Sequence, residues 1–239
     1  ALCQADLLED AWNGTGQFQG TEPIRGFGAV AGVYEEACQI VVRADSEIST
    51  VEELEGHRVS IGEEESGTKQ NALQILAAYG LNEKLVEEVS LNYTEAAKEL
   101  ENGTIDAFFC TAGVQTAAIT NLAQRTGIRF LNVDSAAAAR LKKSYPVYDS
   151  CIIAAGTYPG QEEDVSTVGV KAVLLASDSV SAEVVEELTA LLFEEQQELD
   201  FALPVELITD ADAAVAGISV PFHKGAERYY ESKGEKSEN

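Results

Sequence analysis

The residues best suited to holding a small polar solute form the short run Ser66-Gly67-Thr68. The run follows HRVSIGEE, where Val59 and Ile61 alternate as in a β-strand, and it opens TKQNALQILAAYG, whose apolar residues recur at helical spacing. In open α/β sheets, ligands bind at such turns from the carboxyl end of a strand to the amino end of a helix. Hydroxyls, unpaired amides and the helix dipole favour an anionic group there, such as a carboxylate. The alternative is that Ser66 or Thr68 only caps the helix.

A second set of small residues, Thr111, Ala112 and Gly113, follows the predicted strand IDAFFC. Residues of this size let a backbone approach a ligand closely. Ligand sites favour such positions, so we include the three residues in the candidate binding set. The alternative is an ordinary connection between a strand and a helix.

Three larger side chains complete the candidate binding set. Gln4 ends the first predicted strand, and its amide can donate and accept hydrogen bonds to a ligand or within a turn. Tyr34 lies at a predicted break between two apolar strand segments, where it either forms the wall of a cleft or packs in the core. Tyr158 precedes Pro159 and has the same two interpretations, with packing at a hinge as the structural one.

The remaining reactive side chains form no catalytic or metal-binding pattern in the sequence. His57 and His223 have no obvious acid or nucleophile partner, so a catalytic triad is not expected. The acidic runs EEES and QEED are typical of solvated loops and lack the spacing of a calcium-binding loop. We therefore expect no catalytic residue, no metal site and no cofactor.

The cysteines form no CxxC pair and lie in apolar, strand-like settings. We expect buried free thiols, and the sequence leaves a disulfide between two of them open. The four residues are Cys3, Cys38, Cys110 and Cys151.

Composition limits the classes of partner. The 239 residues are 45% hydrophobic, which suits one large or two small globular domains. With 41 acidic against 16 basic residues the net charge is −25, a surface that repels phosphate backbones and anionic lipids. No stretch approaches the length of a membrane span. No signal peptide is visible, and because the chain contains no Met and begins abruptly at ALCQAD, we expect a processed or truncated product.

Alternating strand and helix patterns predict the α/β class. Thr94, Asp134 and Ser181 each precede a helical pattern and are predicted helix caps. Residues 47–150 form a self-contained α/β unit, which we assign to lobe II, whereas residues 1–46 and 151–239 form lobe I. The chain crosses between the lobes near VVRADS and CIIAAGTYPG, and two such crossings are typical of a hinge beside a cleft.

Several blocks of the sequence resemble the TAXI family of TRAP-transporter solute-binding proteins. In chain order they are NGTGQF, VVRADSEISTVEELEGHRVSIGEEESGT, ILAAYGL, IDAFFCTAGVQTAAI, AGTYPGQEEDVSTVGVKAVLLAS and VPFHKGAERYYESKG. The block that begins GTYPGQ and continues to TVGVKA is the most specific, and the resemblance covers essentially the whole chain. It implies a two-lobed periplasmic-binding-protein-like (type II) α/β fold with a hinge.

The same resemblance implies a function. The chain is expected to capture a small carboxylate of the glutamate or 2-oxoglutarate class outside the cytoplasm, in the periplasm or anchored at the cell surface. It is expected to act as a monomer and to deliver the solute to the membrane component of a TRAP transporter. Two alternatives stay open: an enzyme on the same two-lobed scaffold, and an interaction module that has lost solute binding.

The sequence departs from the family pattern in two places. The family carries a further N-terminal segment with a Gly-rich loop, which this sequence lacks, so we expect lobe I to be incomplete. Relatives have Gly or Pro before Ser-Gly-Thr, where this chain has Glu63-Glu64-Glu65. Carboxylates beside an anion site weaken its affinity for anions, unless they point to solvent.

Overall fold

Strands and helices alternate along most of the chain in the computed structural model, which describes residues 1–195 and 205–234. The predicted α/β class is confirmed. The strands are β1 (Leu2–Gln4), β2 (Phe27–Arg43), β3 (Arg58–Ser60), β4 (Glu87–Val89), β5 (Ala107–Ala112), β6 (Ile128–Phe130), β7 (Asp149–Ile153) and β8 (Val165–Ser177). The helices are α1 (Ala5–Asn13), α2 (Gly67–Ala78), α3 (Tyr93–Asn102), α4 (Ala117–Arg125), α5 (Ser135–Ser144), α6 (Ala182–Glu194), α7 (Ala211–Val215) and α8 (Lys224–Lys233).

The strands form an open, mixed sheet in the order β1-β8-β2-β5-β3-β4, with β6 paired to β2 and β7 paired to β8. Strand β3 runs parallel to both β4 and β5, whereas the pairs β1–β8, β2–β5, β2–β6 and β7–β8 are antiparallel. Parallel neighbours require a crossover, which α2 and α3 supply. The start of α2 therefore follows the carboxyl end of β3, beside the carboxyl end of β5.

Internal contacts divide the chain into two compact units. Unit 1 comprises residues 1–35 and 170–239, and unit 2 comprises residues 36–169. These divisions fall inside β2 and β8, whereas the sequence prediction places them after residues 46 and 150. The assignment to two lobes stays a prediction, and residues 196–204 and 235–239 of the predicted lobe I lie outside the described residues.

The core of unit 2 packs α3 and α4 against β5. Phe108 and Cys110 of β5 contact a buried cluster that includes Leu100 of α3 and Ile119 and Leu122 of α4. Each of these five side chains is at most 1% exposed. Burying a side chain of this size contributes about 1.5–3 kcal/mol, so the cluster fixes the position of β5 strongly. Helix α2 also packs against β5 and against α5.

Helix α2 forms as the sequence predicts. Ala72, Ile75 and Leu76 are buried along one side, and the side chain of Ser66 caps the amino end. Gly80 follows the helix with φ of +77°, the left-handed conformation expected of a residue just past a helix end. The predicted caps Asp134 and Ser181 are also confirmed, since both side chains accept hydrogen bonds from first-turn amides.

Two local predictions are wrong. The expected break near Tyr34 does not occur, because β2 is one continuous strand of 17 residues. Successive acidic residues, Glu35 and Glu36, interrupt the apolar pattern, but the strand continues through them. Neighbouring side chains point to opposite faces of a strand, so two polar residues in a row are compatible with it. The cap of α3 is Asn92 and not Thr94, because the Asn92 side chain accepts from the Glu95 amide at 2.9 Å and the helix already begins at Tyr93.

Unit 1 is built around the paired strands β1 and β8 and the packed helices α6 and α8. Helix α8 is joined to β2 by Tyr230, whose hydroxyl donates to the carbonyl oxygen of Val30 at 2.8 Å. Across the described part of the chain, the helices are too short or too polar for any of them to cross a membrane.

Candidate functional site

The amino end of α2 is held by its own cap. The Ser66 hydroxyl oxygen accepts from the Lys69 amide at 3.1 Å and donates to the carbonyl oxygen of Glu63 at 2.7 Å. Ser66 is therefore the helix cap, and its role in ligand binding stays a prediction. A helix leaves its first amides without an acceptor inside the helix. After this cap, the amides of Gly67 and Thr68 are the other donors at the first two positions of α2, and both residues are buried.

Thr68 lies at the centre of the site. Its side chain is 3% exposed, and its hydroxyl lies 2.6 Å from the hydroxyl of Tyr93, at the start of α3. The backbone amide of Thr111, near the end of β5, donates to the same Thr68 oxygen at 3.3 Å. The Tyr93 hydroxyl donates to the carbonyl oxygen of Thr111 at 2.9 Å. The two predicted runs, 66–68 and 111–113, are thus brought together by direct contact, and Tyr93 joins them.

Gly62 shapes the turn that leads into α2. Its φ is +98°, and a Cβ atom at this position would lie 2.9 Å from Cβ and from Cγ2 of Thr68. Both the conformation and the close approach require glycine. The turn therefore packs directly on Thr68, with no room for a side chain.

The second predicted run lies on a buried polar network. The Gln39 side chain, 1% exposed, donates to the carbonyl oxygen of Ala112 and to the hydroxyl of Thr116, each at 3.4 Å. The Thr116 hydroxyl donates to the carbonyl oxygen of Gly113 at 2.9 Å. Tyr158 completes the network, because its hydroxyl donates to Gln39 and accepts from the Thr116 amide.

Tyr158 packs inside unit 2, and its predicted place at a hinge stays a prediction. It is 2% exposed, and its ring lies 5.2 Å from that of Phe130, centroid to centroid. Burial raises the pKa of its hydroxyl, which therefore stays protonated at neutral pH. Its part in direct ligand contact stays a prediction, whereas its contact with Thr116 fixes the loop beside Gly113.

Strained backbone occurs next to both runs. Among the described residues other than glycine, positive φ is found at Glu65, at 60°, and at Gln115, at 62°. The left-handed conformation costs such residues roughly 1–2 kcal/mol. Strain of this kind persists where the surroundings enforce it, often beside functional sites. Here it lies one residue before Ser66 and two residues after Gly113.

Gln4 and Tyr34 belong to unit 1 and not to the bonded cluster of unit 2. Gln4 ends β1, pairs with Ala172 of β8, and directly precedes α1. Tyr34 is half-buried within the continuous β2. The structure thus brings together Thr68 and Thr111 with their neighbours, and it places Gln4 and Tyr34 on other elements. Their roles as ligand contacts stay predictions.

The three carboxylates that precede Ser66 are exposed. Glu64 forms an ion pair with Lys69 and accepts from the Ser90 hydroxyl at 2.7 Å. The bond from Lys69 is the main reason why the pKa of Glu64 lies below its usual value. Lys69 is therefore paired with Glu64 beside the start of α2.

Burial controls the other titratable groups of the site. It raises the pKa of the Tyr93 hydroxyl and raises that of the Cys110 thiol to about 12. All four cysteines lie in strands, as predicted, and none of these described residues forms a disulfide; Cys38 and Cys110 are buried, whereas Cys3 and Cys151 are only half-buried. Within residues 1–195 and 205–234, no group of three or more His, Cys, Asp or Glu side chains is arranged to hold a metal ion.

Sequence reasoning missed Gln39, Gly62, Tyr93 and Thr116. Gly62 carries a readable signal, a glycine at the end of a strand before a helix cap. Tyr93 and Gln39 carry none, because a tyrosine at a helix start and a glutamine inside a strand are compatible with many environments. Their roles follow from partners distant in the sequence.

Comparison with known proteins gives the family. The model of the NMT1-like family matches residues 1–234, and the chain belongs to that family.

Three solved structures to which the chain is similar are named as binding proteins. The periplasmic aliphatic sulphonate binding protein SsuA from Escherichia coli is 18% identical, with 84% of this chain and 58% of that chain covered and a TM-score of 0.46. The alkanesulfonate-binding protein SsuA from Xanthomonas axonopodis pv. citri, bound to MOPS, is 16% identical, with 85% of this chain and 61% of that chain covered and a TM-score of 0.44. A TctC solute binding protein from Polaromonas is 19% identical, with 84% of this chain and 65% of that chain covered and a TM-score of 0.44. The chain spans 58–65% of the length of these three structures.

Proposed function

We propose that this chain is a solute-binding protein that holds a small carboxylate at the start of α2. The observation that carries the proposal is the direct bonding of Thr68 to the end of β5, which joins the two runs predicted to bind ligand. This junction lies where the carboxyl end of a strand meets the amino end of a helix. Membership in the NMT1-like family agrees with it.

The chemistry proposed is recognition without bond making. First-turn amides of α2 donate to the carboxylate, and the helix dipole adds to the attraction. The hydroxyls of Thr68, Tyr93 and Tyr158 are already engaged by protein groups, so backbone donors are the better candidates for contact. Gly67 supports close approach because it has no side chain.

We further propose that the carboxylate is of the glutamate or 2-oxoglutarate class and that the protein acts outside the cytoplasm as a monomer. The membrane partner in this proposal is a TRAP-type transporter of the kind served by TAXI-family receptors, which the sequence blocks resemble. The division into lobes, with residues 47–150 as lobe II, belongs to the same proposal. So do Gln4 and Tyr34 as additional contacts.

The test removes one amide from the start of α2. Proline is well tolerated at the first helical position and has no N–H, so Gly67→Pro deletes a single donor while the helix is retained. Hydrogen bonds to charged groups are worth about 1.5–3 kcal/mol, so we expect affinity for glutamate or 2-oxoglutarate to fall roughly 10- to 100-fold. Isothermal titration calorimetry on the full chain measures it.

Two variants make the comparison specific. Gly67→Ala keeps the N–H and adds only a methyl group, so its affinity should stay above that of Gly67→Pro. Ser135→Pro makes the same change at the first position of α5, away from the site, and should leave binding intact. If wild-type protein binds neither compound, or if the proline and alanine variants at position 67 lose affinity equally, the proposal is wrong.

A further inference from the structure

Thr68, Tyr93 and Thr111 form a closed ring of three hydrogen bonds. The Thr111 amide can only donate, and it donates to the Thr68 oxygen at 3.3 Å. The Thr111 carbonyl can only accept, and it accepts the Tyr93 proton at 2.9 Å. The remaining bond, 2.6 Å between the two hydroxyls, must then run from Thr68 to Tyr93.

The ring uses both hydroxyl protons. Thr68 has no proton left for a ligand, and neither has Tyr93. Both hydroxyls therefore act on the protein itself. Thr68 and Thr111 are 3% and 5% exposed, so breaking the ring leaves donors or acceptors without partners in a buried place. Burial also raises the pKa of Tyr93, which keeps its proton in the ring at neutral pH.

The ring connects three elements of unit 2 at one point. Thr68 belongs to the first turn of α2, Tyr93 is the first residue of α3, and Thr111 is the last residue but one of β5. Tyr93 is the member of the ring that comes from α3, and its side chain contacts both Thr68 of α2 and Thr111 of β5. We propose that Tyr93 is a positioning residue, which fixes the first turn of α2 against β5 so that its amides meet the ligand.

This inference rests on the proposed function, since it concerns the same amides. Binding sites lose affinity when supporting contacts let their donors shift, even though those contacts never touch the ligand. Tyr93→Phe keeps the aromatic ring in place and removes one acceptor and one proton. We expect affinity for glutamate or 2-oxoglutarate to fall about tenfold, chiefly through faster dissociation.

A matched control lies at the carboxyl end of α2, where Tyr79 follows the helix. The Tyr79 hydroxyl accepts from the Asp134 amide at 2.8 Å, so Tyr79→Phe also removes a bond between a phenol and the backbone. It should lower stability without changing affinity. Calorimetry gives the affinities of both variants, and stopped-flow fluorescence gives the dissociation rates. Equal losses of affinity in the two variants would overturn the inference while leaving solute binding established.

A second measurement needs no ligand. Urea unfolding of Tyr93→Phe, Thr68→Val and the double variant tests whether the bonds act as one ring. We expect either single substitution to lower the urea midpoint clearly, because either one opens the ring. Adding the other substitution to make the double variant should lower the midpoint much less. Thr68→Ser retains the hydroxyl, so the ring stays closed in that variant. Tyr93→Phe should therefore lower the midpoint of Thr68→Ser as much as it lowers that of the wild type. Additive shifts in midpoint would overturn the ring. A wild-type protein that binds neither compound would overturn the proposed function, and the positioning role with it.

Discussion

At the residue scale, the burial of Cys110 makes the stability of the folded state depend on pH. Its thiol is 0% exposed and packs in the core of unit 2, where burial raises its pKa from 9.0 to about 12. The unfolded chain exposes the same thiol and ionises it near its ordinary value. The folded state therefore gains stability from the neutral thiol at neutral pH, and that gain is lost as the pH rises through the interval between the two values.

This argument predicts a stability loss in mild alkali. Between about pH 9 and about pH 10, the free energy of unfolding should fall by up to about 1.4 kcal/mol because of Cys110. Urea unfolding of wild type and of Cys110→Ala measures the slope against pH, which should be shallower in the variant. Cys151→Ala, at a half-buried thiol, is the comparison, and its slope should stay steeper than that of Cys110→Ala. Equal slopes in all three proteins would contradict the prediction.

Residue types predicted part of the candidate site. The sequence indicated that Ser66 and Thr68 lie at the start of a helix and that Thr111 lies at the end of a strand. The structure places Thr68 and Thr111 in contact. It could not indicate Tyr93, whose partners lie 25 and 18 residues away. Local patterns predict where a hydroxyl caps its own helix. They do not predict which distant backbone group a long side chain reaches.

At the element scale, the turn from β3 to α2 depends on Gly62. Alanine there meets two penalties, a left-handed backbone of roughly 1–2 kcal/mol and a contact of 2.9 Å with the Thr68 side chain. Crowding of this kind costs about 1–3 kcal/mol more. Gly62→Ala should therefore destabilise the protein and also displace Thr68 from its hydrogen bonds.

Gly80→Ala carries only the backbone penalty, so the difference between the two variants isolates the penalty of the contact. Gly80 is also left-handed, with φ of +77°, but a Cβ atom there has no neighbour within 4 Å. Thermal unfolding should show the loss for Gly62→Ala to exceed that for Gly80→Ala by at least about 1 kcal/mol. Affinity for the solute should fall only in the first variant. Similar losses of stability would show that the turn can move away from Thr68.

The elements themselves were largely predictable. The strong helical spacing in α2 and the caps at Asp134 and Ser181 gave correct starts, because each signal lies within a few residues. The errors arose where two signals compete. Asn92 and Thr94 are both good caps, and only the fold selects Asn92. Two adjacent glutamates resemble a loop, yet β2 continues through them.

At the scale of the whole molecule, the net charge of −25 opposes the compact state. The ion pairs found among the described residues, such as Arg125–Glu101, join exposed or half-exposed side chains, and pairs of this kind contribute little to stability because water screens them. Salt screens repulsion and attraction alike. With 41 acidic against 16 basic residues, repulsive pairs dominate, so screening should stabilise the protein.

A salt titration checks this balance. Raising NaCl from about 20 mM to about 500 mM shortens the Debye length from about 20 Å to about 4 Å. The Tm measured by calorimetry should rise over this range. Repeating the series near pH 4, where many carboxylates are protonated, should reduce the rise. A Tm that falls with salt at neutral pH would mean that the ion pairs outweigh the excess of negative charge.

The bounds of compact units are harder to predict from a sequence than the class of fold. Alternating patterns along the chain are enough to indicate α/β structure. Where compact units divide depends on contacts between distant segments, and here the divisions fall within the long strands β2 and β8. A strand that passes from one unit to the other carries no loop signal at the boundary.

The ring of hydrogen bonds has a consequence for how this sequence can vary. Thr68 and Tyr93 take part through their side chains, whereas Thr111 contributes only its backbone amide and carbonyl. Any residue except proline supplies those two groups. In a set of homologous chains, positions 68 and 93 should therefore be replaced together, and position 111 should vary independently of them.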